Sequence, residues 1–296
     1  MTGQRYTFSL VVLSLAFFLT AAEQLDEMSR SWNRPVAPAR IIGGVYYVGA
    51  AEVASYLITT PQGHILLDSG FEETVPIIQK SIARLGFKLE DVRILLNSHA
   101  HFDHAAGLAR LKELTGASLQ VSEADAVQIE NGGKNDFAWG DRLAFPPASV
   151  DRKLRDGDTV SLGGVTLTAR LTPGHTKGCT TWTMTVKEAD RNYDVVFACS
   201  ISALGYRLVD NPKYRNIVHD YEKTLRTLKA LPCDVFLAAH GSFFGLLEKL
   251  ERARKSEKAN PFVDPQGYRD YLEQSERSFR EKLENQRKKK GEGLGR

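Results

Sequence analysis

Apolar runs of strand length alternate with amphipathic segments of helical period along most of the chain. Continuous apolar runs bounded by Gly, Pro or polar residues indicate strands, and apolar residues spaced three and four apart indicate helices that bury one face. The predicted strands lie within 44–49, 54–60, 64–70, 92–100, 159–175, 179–186, 193–200 and 234–242. The predicted helices are 74–86, 105–117 and 219–231, and 118–133 combines a strand with a following helix.

Strands that alternate with helices predict an α/β fold. The pattern occurs in two successive halves, which predicts two β-sheets packed face to face with helices outside. No linker divides the chain, so we expect a single domain over 23–296. The insert 131–151 is rich in Gly, Pro and aromatic residues and is expected to form a surface loop near a ligand. After Pro265 we expect a charged amphipathic helix and then, from about residue 284, a frayed polar tail.

The first residues have the pattern of a secretory signal peptide. An apolar run extends from Phe8 to Leu19, and Thr20 and Ala22 precede a cleavage point before Glu23. The run is shorter than the roughly 20 apolar residues that a membrane span needs, and a signal anchor is the alternative. We therefore expect residues 1–22 to be removed and the mature protein to be exported to the periplasm.

Composition and charge narrow the class of protein. The hydrophobic fraction of 42% and the charged fraction of 25% are ordinary for a soluble globular domain. They exclude a largely disordered chain and a multi-span membrane protein. The net charge is only +3, and part of it comes from the RKKK run at 287–290. The chain lacks the broad basic character of a nucleic-acid binder, so no nucleic-acid partner is expected.

Three of the seven histidines lie within the six residues HAHFDH at 99–104. This cluster follows a predicted strand, and so do His175 and His240. Ligand sites of α/β sheets lie at the carboxyl ends of strands, where such loops can converge. Imidazole nitrogens and carboxylate oxygens are good zinc ligands, and His-rich sites with open positions are typical of catalytic zinc. The alternative is a solvated turn that happens to be rich in histidine.

The spacing within the cluster predicts two metal positions rather than one. An extended H-x-H segment places His99 and His101 on the same face, because side chains alternate along a strand. Asp103 and His104 fall in the turn that enters the next helix, where they can point to a second position. Six ligands are too many for one tetrahedral ion that keeps a place for water. We therefore expect two ions, each with three protein ligands.

The HAHFDH motif, with TPGHTKG around His175 and AAHGS around His240, resembles the metallo-β-lactamase superfamily. The resemblance runs from about Pro35 to Leu283, and it implies a four-layer αββα sandwich that holds two zinc ions. It also implies which side chains bind them. The first zinc is expected to bind His99, His101 and His175, and the second Asp103, His104 and His240. Asp68 matches a carboxylate that orients the metal-site loop, with a simple strand-end cap as the alternative.

The branches of this superfamily differ in the residue that stands at the end of the run DVVFACS. In thioesterases related to glyoxalase II, in lactonases and in tRNA-processing nucleases, an aspartate there bridges the metals, and in another group of β-lactamases a cysteine ligand stands there. Here Ser200 occupies the position, and a neutral serine is a poor zinc ligand. Cys199 is the ligand only if the register slips by one residue. Serine at 200 together with histidine at 104 resembles subclass B3 of the metallo-β-lactamases. The sequences of 31–41, 139–164 and 201–221 are also similar to that subclass.

Subclass B3 implies hydrolysis of the β-lactam amide bond of penicillins, cephalosporins and carbapenems. The resemblance assigns the attack to a hydroxide shared by the two zinc ions, because zinc lowers the pKa of bound water to about 7. Asp103 is expected to orient this hydroxide. Ser200 and Ser202 are expected to donate hydrogen bonds to the substrate carboxylate, with plain loop hydroxyls as the alternative. Phe137, Trp139 and Phe145 either form one wall of the cleft or pack their own loop.

The three cysteines have two interpretations. Cys179 and Cys199 flank elements that belong to the predicted site, so a bridge between them is consistent with their positions, and disulfides persist in exported proteins. Cys233 then remains as a free core thiol. Three unpaired buried cysteines are the alternative. The resemblance favours the bridge, because the same pair of positions is bridged in some members of subclass B3.

Other functions stay open at this point. A lactonase or thioesterase of the same fold would also hold two zinc ions, but it would need a bridging carboxylate near residue 200, and none is present. A non-catalytic zinc-binding protein is the alternative outside the enzymes. We expect a monomer that acts on small-molecule β-lactams without a stable membrane partner.

Overall fold

The computed structural model describes residues 21–203, 205–255 and 259–294. Its strands are β1 (Ala39–Ile42), β2 (Val45–Tyr47), β3 (Tyr56–Thr60), β4 (Gly63–Leu67), β5 (Val92–Leu96), β6 (Ser118–Ser122), β7 (Arg152–Leu154), β8 (Thr159–Leu162), β9 (Val165–Leu171), β10 (Thr180–Glu188), β11 (Arg191–Ala198) and β12 (Val235–Ala238). Its α-helices are α1 (Ala21–Trp32), α2 (Val75–Arg84), α3 (Phe102–Ala105), α4 (Leu108–Thr115), α5 (Glu123–Glu130), α6 (Ile217–Ala230), α7 (Leu246–Arg254) and α8 (Pro265–Leu294). The predicted signal peptide lies outside the described residues, apart from Ala21 and Ala22, which begin α1.

The strands form a seven-stranded and a five-stranded sheet within the described residues. The first sheet runs in chain order from β1 to β7: β1 to β4 pair in antiparallel fashion, and β4 to β7 pair in parallel. The second sheet has the order β12-β11-β10-β9-β8, and only its edge pair β11/β12 is parallel. Parallel neighbours need crossover connections, and the helices between the strands supply them.

The two sheets pack face to face. The Tyr56 ring on β3 meets the Phe197 ring on β11 at 5.1 Å between centroids, and the Tyr56 hydroxyl donates to the Ala238 carbonyl at 2.6 Å. Trp182 of β10 is fully buried in the same core. Apolar side chains on both inner faces exclude water from the space between the sheets, which is the main favourable contribution to folding.

Helices cover both outer faces. On the first sheet, Ile78 and Ile82 of α2 stand four positions apart and bury one face of the helix together with Leu111 of α4. On the second sheet, Tyr221 of α6 stacks on Phe279 of α8 at 5.0 Å. The predicted α/β class and four-layer αββα sandwich are therefore confirmed.

The C-terminal helix is longer than the sequence led us to expect. We predicted a frayed polar tail from about residue 284, but α8 continues to Leu294. Glu284 and Lys288, one helical turn apart, form an ion pair of 2.7 Å, and Lys290 pairs with Asp210 at 2.5 Å. Side-chain pairs at this spacing stabilise a helix that has little apolar surface.

The described residues contain no helix that is both long and apolar enough to cross a membrane.

Candidate metal centre

The predicted donor residues come from the carboxyl ends of three strands. β5 ends at Leu96 and leads to His99 and His101, and the short helix α3 follows with Asp103 and His104. His175 lies beyond the end of β9, and His240 lies just beyond β12. Because β5 belongs to one sheet while β9 and β12 belong to the other, the site lies where the ends of the two sheets meet.

The first donor set consists of His99, His101 and His175. One ring nitrogen from each lies within 4.8 Å of the others, and His101 Nδ1 is 3.1 Å from His175 Nε2. His99 is buried, and its Nε2 atom has no hydrogen-bond partner. Buried polar atoms are normally paired. Three imidazoles whose nitrogens point at one another, one of them unpaired, have the arrangement of a metal site.

The second donor set consists of Asp103, His104 and His240. The Nε2 atoms of His104 and His240 are 3.2 Å apart, and Asp103 Oδ2 lies 3.3 Å from the first and 3.5 Å from the second. The two sets adjoin, because the ring centroids of His99 and His104 are 4.2 Å apart. The structure thus brings together all six residues that the sequence indicated, and His99 also lies close enough to Asp103 and His104 to form a candidate metal group with them.

Uncharged groups of the protein support the first donor set. Ser98 Oγ lies 3.0 Å from Nδ1 of His99, and the Ser202 carbonyl lies 2.6 Å from Nδ1 of His175. These contacts engage the ring nitrogen opposite the one that points into the site. Such partners fix the orientation of a metal-binding imidazole and determine which nitrogen carries the proton.

Carboxylates support the second donor set. Asp68 Oδ2 lies 3.5 Å from Nδ1 of His104, and Glu52 Oε1 lies 3.6 Å from Nδ1 of His240. The other oxygen of Asp68 accepts a hydrogen bond of 2.6 Å from the backbone N–H of Ser98. Asp68 itself has a left-handed backbone, with φ of 62°. The carboxylate therefore contacts both a donor histidine and the loop before the donor cluster.

Burial and neighbouring charges separate the pKa values of the donors. Burial, together with the other histidines, lowers the pKa of His99 and lowers those of His175 and His240 to about 3. Burial also lowers the pKa of His101 to about 4, against the attraction of Asp103.

His104 and Asp103 shift in the opposite directions. Burial opposes a charge on each, but the carboxylates of Asp103 and Asp68 outweigh it and raise the pKa of His104 to about 10. The same contact with His104 holds the pKa of Asp103 well below its usual range. The shifts of these two groups favour a charged pair of His104 and Asp103, whereas those of the first donor set favour neutral rings.

The donor chemistry fits zinc. Neutral imidazoles and a carboxylate are ligands that zinc prefers, and three protein ligands per ion leave a coordination position open. Burial favours the neutral form of four of the histidines, and Asp103 is held anionic, which are the ligand states that metal binding requires, whereas His104 would release its proton when a metal ion binds. The unpaired Nε2 of His99 also has a role in such a site. The residues present therefore fit a pair of zinc ions.

A disulfide lies directly behind the first donor set. Cys179 and Cys199 are bonded to each other, and both sulfurs lie within 4.8 Å of a His99 ring nitrogen. The predicted bridge is therefore confirmed, and Cys199 is not available as a metal ligand in this state. Cys233 is free and half-buried, as expected for the leftover cysteine.

The structure separates the two predicted substrate serines. Ser200 is buried, and its hydroxyl accepts a hydrogen bond from the Ser202 N–H at 3.3 Å. Ser202 is half-buried, and its carbonyl contacts His175 and accepts a hydrogen bond from the hydroxyl of Tyr221. Of the pair, only Ser202 combines partial exposure with direct contact to a donor histidine.

The aromatic residues of the 131–151 insert also divide into two groups. The rings of Phe137 and Trp139 contact Tyr206 at 5.0 and 6.1 Å, and the Tyr206 hydroxyl donates to the His175 carbonyl at 2.9 Å. Phe145 is buried in the core beneath the first sheet, so it packs its own loop down. Phe137 and Trp139 therefore lie beside the first donor set, as the insert was expected to.

Sequence analysis missed several residues that contact the centre. Asp136 lies 3.9 Å from Nε2 of His101, the Trp32 ring meets the His240 ring at 5.3 Å, and Glu52 contacts His240. Each is distant in sequence from the histidine that it meets, so no local pattern connects them. The insert also contains Asp141 and Asp151, so the charge of Asp136 did not distinguish it in the sequence.

The loop that carries Ser202 and Tyr206 is held by α8. Gln286 donates a hydrogen bond to the Tyr206 carbonyl at 2.8 Å and accepts hydrogen bonds from the N–H groups of Leu208 and Val209. This side chain thus satisfies three backbone groups of one irregular segment. The C-terminal helix therefore fixes one side of the candidate site.

Comparison with known proteins assigns the family. Residues 48–240 match the metallo-β-lactamase superfamily. A probable metallo-hydrolase of Burkholderia pseudomallei is 33% identical over 108 residues, which are 36% of either chain. The chain thus matches about a third of the length of that curated relative.

Two solved structures are similar over most of their length. The FEZ-1 metallo-β-lactamase of Legionella gormanii is 46% identical with a TM-score of 0.84, and the match covers 86% of this chain and 98% of that one. The class B3 di-zinc metallo-β-lactamase LRA-12, from an Alaskan soil metagenome, is 35% identical with a TM-score of 0.80, over 84% of this chain and 95% of that one. The chain therefore belongs to the metallo-β-lactamase superfamily, and within it to subclass B3.

Proposed function

We propose that this protein hydrolyses the β-lactam amide bond of antibiotics with two zinc ions. The observation that carries the proposal is the pair of adjoining donor sets, His99, His101 and His175 beside Asp103, His104 and His240. The similarity to subclass B3 enzymes over most of the chain supports the choice of substrate. Such an enzyme confers resistance to the antibiotics that it degrades.

The first donor set would hold one zinc ion and the second donor set the other. When bound, zinc supplies a Lewis acid for the β-lactam carbonyl and a source of hydroxide at neutral pH. Asp103 provides the only negative charge among the six donors. Its carboxylate lies beside both His104 and His240, where it is able to accept a hydrogen bond from the attacking water and fix its direction.

The remaining residues would bind and orient the substrate. Ser202 is half-buried beside His175, so its hydroxyl is suited to donate to the substrate carboxylate. Ser200 is buried and contacts the Ser202 N–H, which assigns it a supporting role in positioning that segment. Phe137 and Trp139, which pack on Tyr206, would offer an apolar surface to the substituents of the β-lactam ring.

A different dinuclear hydrolase activity is the alternative. Curated relatives include an N-acyl homoserine lactonase of Bacillus cereus and hydroxyacylglutathione hydrolases. Those activities would require a carboxylate that bridges the metals after β11, but this strand is followed by the disulfide-bonded Cys199 and by Ser200. The serine at this position therefore favours the β-lactamase over the lactonase and the thioesterase.

Turnover measured during removal and return of zinc tests the proposal. Hydrolysis of a penicillin, a cephalosporin and a carbapenem is followed with zinc, then with a chelator, then with zinc restored. We expect activity that disappears with the chelator and returns with zinc. A protein that binds two zinc ions but hydrolyses only lactones or thioesters would instead favour the alternative. One that hydrolyses none of these substrates would be a non-catalytic zinc protein.

We also propose that the protein works in the periplasm after export. The apolar segment at 8–19 and the Cys179–Cys199 disulfide support this location, because disulfides persist in oxidising compartments. Fractionation of cells that express the full chain, with mass spectrometry of the product, is the test. We expect a periplasmic protein that begins at Glu23, and an intact chain in the cytoplasm would contradict the proposal.

A further inference from the structure

Asp125 is a buried carboxylate that contacts two loops of the metal centre. It lies in the first turn of α5 and is 3% exposed. Its Oδ2 accepts hydrogen bonds from the Ala100 N–H at 2.9 Å and the Thr176 hydroxyl at 2.7 Å, and its Oδ1 accepts one from the Gly178 N–H at 2.8 Å. One side chain thus satisfies donors from two segments that are far apart in sequence.

These contacts fall beside the residues of the first donor set. Ala100 stands between His99 and His101, and Thr176 directly follows His175. A hydrogen bond to the N–H between two ligands fixes the backbone from which both side chains project. The shared acceptor Oδ2 therefore links the two backbone segments whose histidine nitrogens, His101 Nδ1 and His175 Nε2, approach to 3.1 Å.

The packing around Asp125 leaves little freedom for the second loop. Ser122, the N-cap residue of α5, donates its hydroxyl to the Gly178 carbonyl at 2.6 Å and accepts from the Asp125 N–H at 3.3 Å. A Cβ atom at position 178 would lie 2.7 Å from Asp125 Cγ, which only glycine avoids. The start of α5 and the His175 loop are therefore in close contact through both backbone and side chains.

We propose that Asp125 is a positioning residue of the first metal site. It holds the His99–His101 segment and the His175 loop at the separation that one metal ion needs, and this role rests on the proposed two-zinc function. Partners behind metal ligands commonly change metal affinity by about 10- to 100-fold when they are removed. The side-chain hydrogen bonds of Asp125 go to Ala100, Thr176 and Gly178, and the carboxylates beside His104 and His240 are Asp68 and Glu52. The effect should therefore be confined to the first site.

The test measures metal affinity site by site in Asp125→Asn, Thr176→Val and Thr176→Ser. Zinc dissociation constants come from competition with a chromophoric chelator, and the absorption spectrum of bound cobalt(II) reports the geometry of each site. We expect Asp125→Asn to bind one ion as the wild type does and the other about 10- to 100-fold more weakly. Thr176→Val should show a smaller loss at the same site, and Thr176→Ser, which keeps the hydroxyl, should restore wild-type affinity.

Asp234→Asn is the matched control. Asp234 also accepts hydrogen bonds from a backbone N–H, that of Asp194 at 3.0 Å, and from a side chain, that of Arg191 at 2.7 Å. It lies before β12, at the end of the strand opposite to His240. Its substitution should lower the free energy of unfolding without changing either zinc dissociation constant.

Two results would overturn the role of Asp125. One is an Asp125→Asn variant that is less stable but binds both ions with wild-type affinity, and the other is an equal loss at both sites. If Asp125→Asn does not fold, Thr176→Val decides, and unchanged zinc affinity in that variant rejects the proposal. A wild type that binds two zinc ions without cleaving β-lactams would refute the proposed function, and the affinities would still test Asp125.

Discussion

The two donor sets lie side by side but are supported in different ways. The first contains three imidazoles: the Ser98 hydroxyl and the Ser202 carbonyl contact two of them, and the Asp136 carboxylate lies 3.9 Å from the third, His101. The second contains a carboxylate among its own donors, and the further carboxylates Asp68 and Glu52 lie behind its histidines. All donors of the first site are imidazoles, whereas the second site has a carboxylate that faces two imidazoles directly. The comparison teaches that an equal number of ligands does not make the two sites equivalent.

The largest effect is expected from Asp103→Asn, which removes the one anionic donor. The second donor set then lacks a carboxylate, because a neutral amide takes the place of the Asp103 carboxylate between His104 and His240. We expect loss of one zinc ion per chain and a fall in kcat/KM of more than about a hundredfold, beyond the effect of losing an outer partner. Metal content after gel filtration and steady-state kinetics measure both.

Asp190→Asn, in the exposed turn between β10 and β11, is the control for Asp103→Asn and should behave as wild type. An Asp103→Asn variant that still held two zinc ions tightly would remove the basis for calling the second site the charge-dependent one.

Removal of the disulfide tests the support behind the first set. Cys179 and Cys199 are separated by 20 residues, and the loss of such a crosslink costs about 3 kcal/mol of stability. The double variant Cys179→Ala/Cys199→Ala should therefore unfold at a lower urea concentration, with Cys233→Ala as the control for a cysteine that is free. If the double variant and the wild type were equally stable, the crosslink behind His99 would contribute nothing to the free energy of unfolding.

Asp68→Asn should affect the second site alone. The variant loses the negative charge 3.5 Å from Nδ1 of His104, and asparagine tolerates the left-handed backbone at this position, so the loop is expected to keep its path. We expect zinc affinity at the second site to fall by about 10- to 100-fold and the first to stay unchanged. Chelator competition gives both constants. Asp125→Asn should weaken zinc binding at the first site, and Asp68→Asn should weaken it at the second. If both variants changed the two dissociation constants in the same way, the two sites would not depend on different supporting carboxylates.

The smallest effect is a dependence of stability on pH. Burial raises the pKa of Asp125 from an ordinary value of 3.8 to about 6, despite its hydrogen bonds. Between these values the folded protein binds more protons than the unfolded chain, so the contribution of this residue to stability falls as pH rises. The stability of wild type relative to Asp125→Asn should therefore decrease by on the order of 2 kcal/mol from pH 3.5 to pH 7. Urea unfolding of the metal-free proteins measures it, and a relative stability that rises with pH would contradict this account.

Local patterns pointed to the six donor residues, which the structure places close together. His99, His175 and His240 each follow an apolar strand, and such strands are recognisable from the hydrophobic pattern of the sequence. Asp68, by contrast, was assigned from the resemblance to the family, and its position after a strand alone indicated no more than a cap. The motif resemblance supplied the grouping into two sets, which spacing alone left as a general expectation of two ions.

The supporting residues were not predictable in this way. In the sequence, Asp125 is an ordinary acidic residue in the first turn of a helix. Its contact with Ala100 arises when β6 pairs with β5, and its contacts with Thr176 and Gly178 arise when the two sheets pack together. The end of α8 was missed for a related reason. Its polar sequence has no strong apolar period, and the pairs of Lys290 with Asp210 and of Gln286 with the 206–209 segment are tertiary.

The contacts of Gln286 with the Tyr206 segment have a consequence for synthesis and turnover. A ribosome releases the chain from its N-terminus onward, so the six candidate donor residues emerge before the helix that anchors one side of the cleft. A chain that ends before Gln286 would keep these donor residues yet lose the three hydrogen bonds that hold the Tyr206 segment. We therefore expect such a truncation to loosen this side of the cleft while the donor residues themselves stay in the chain.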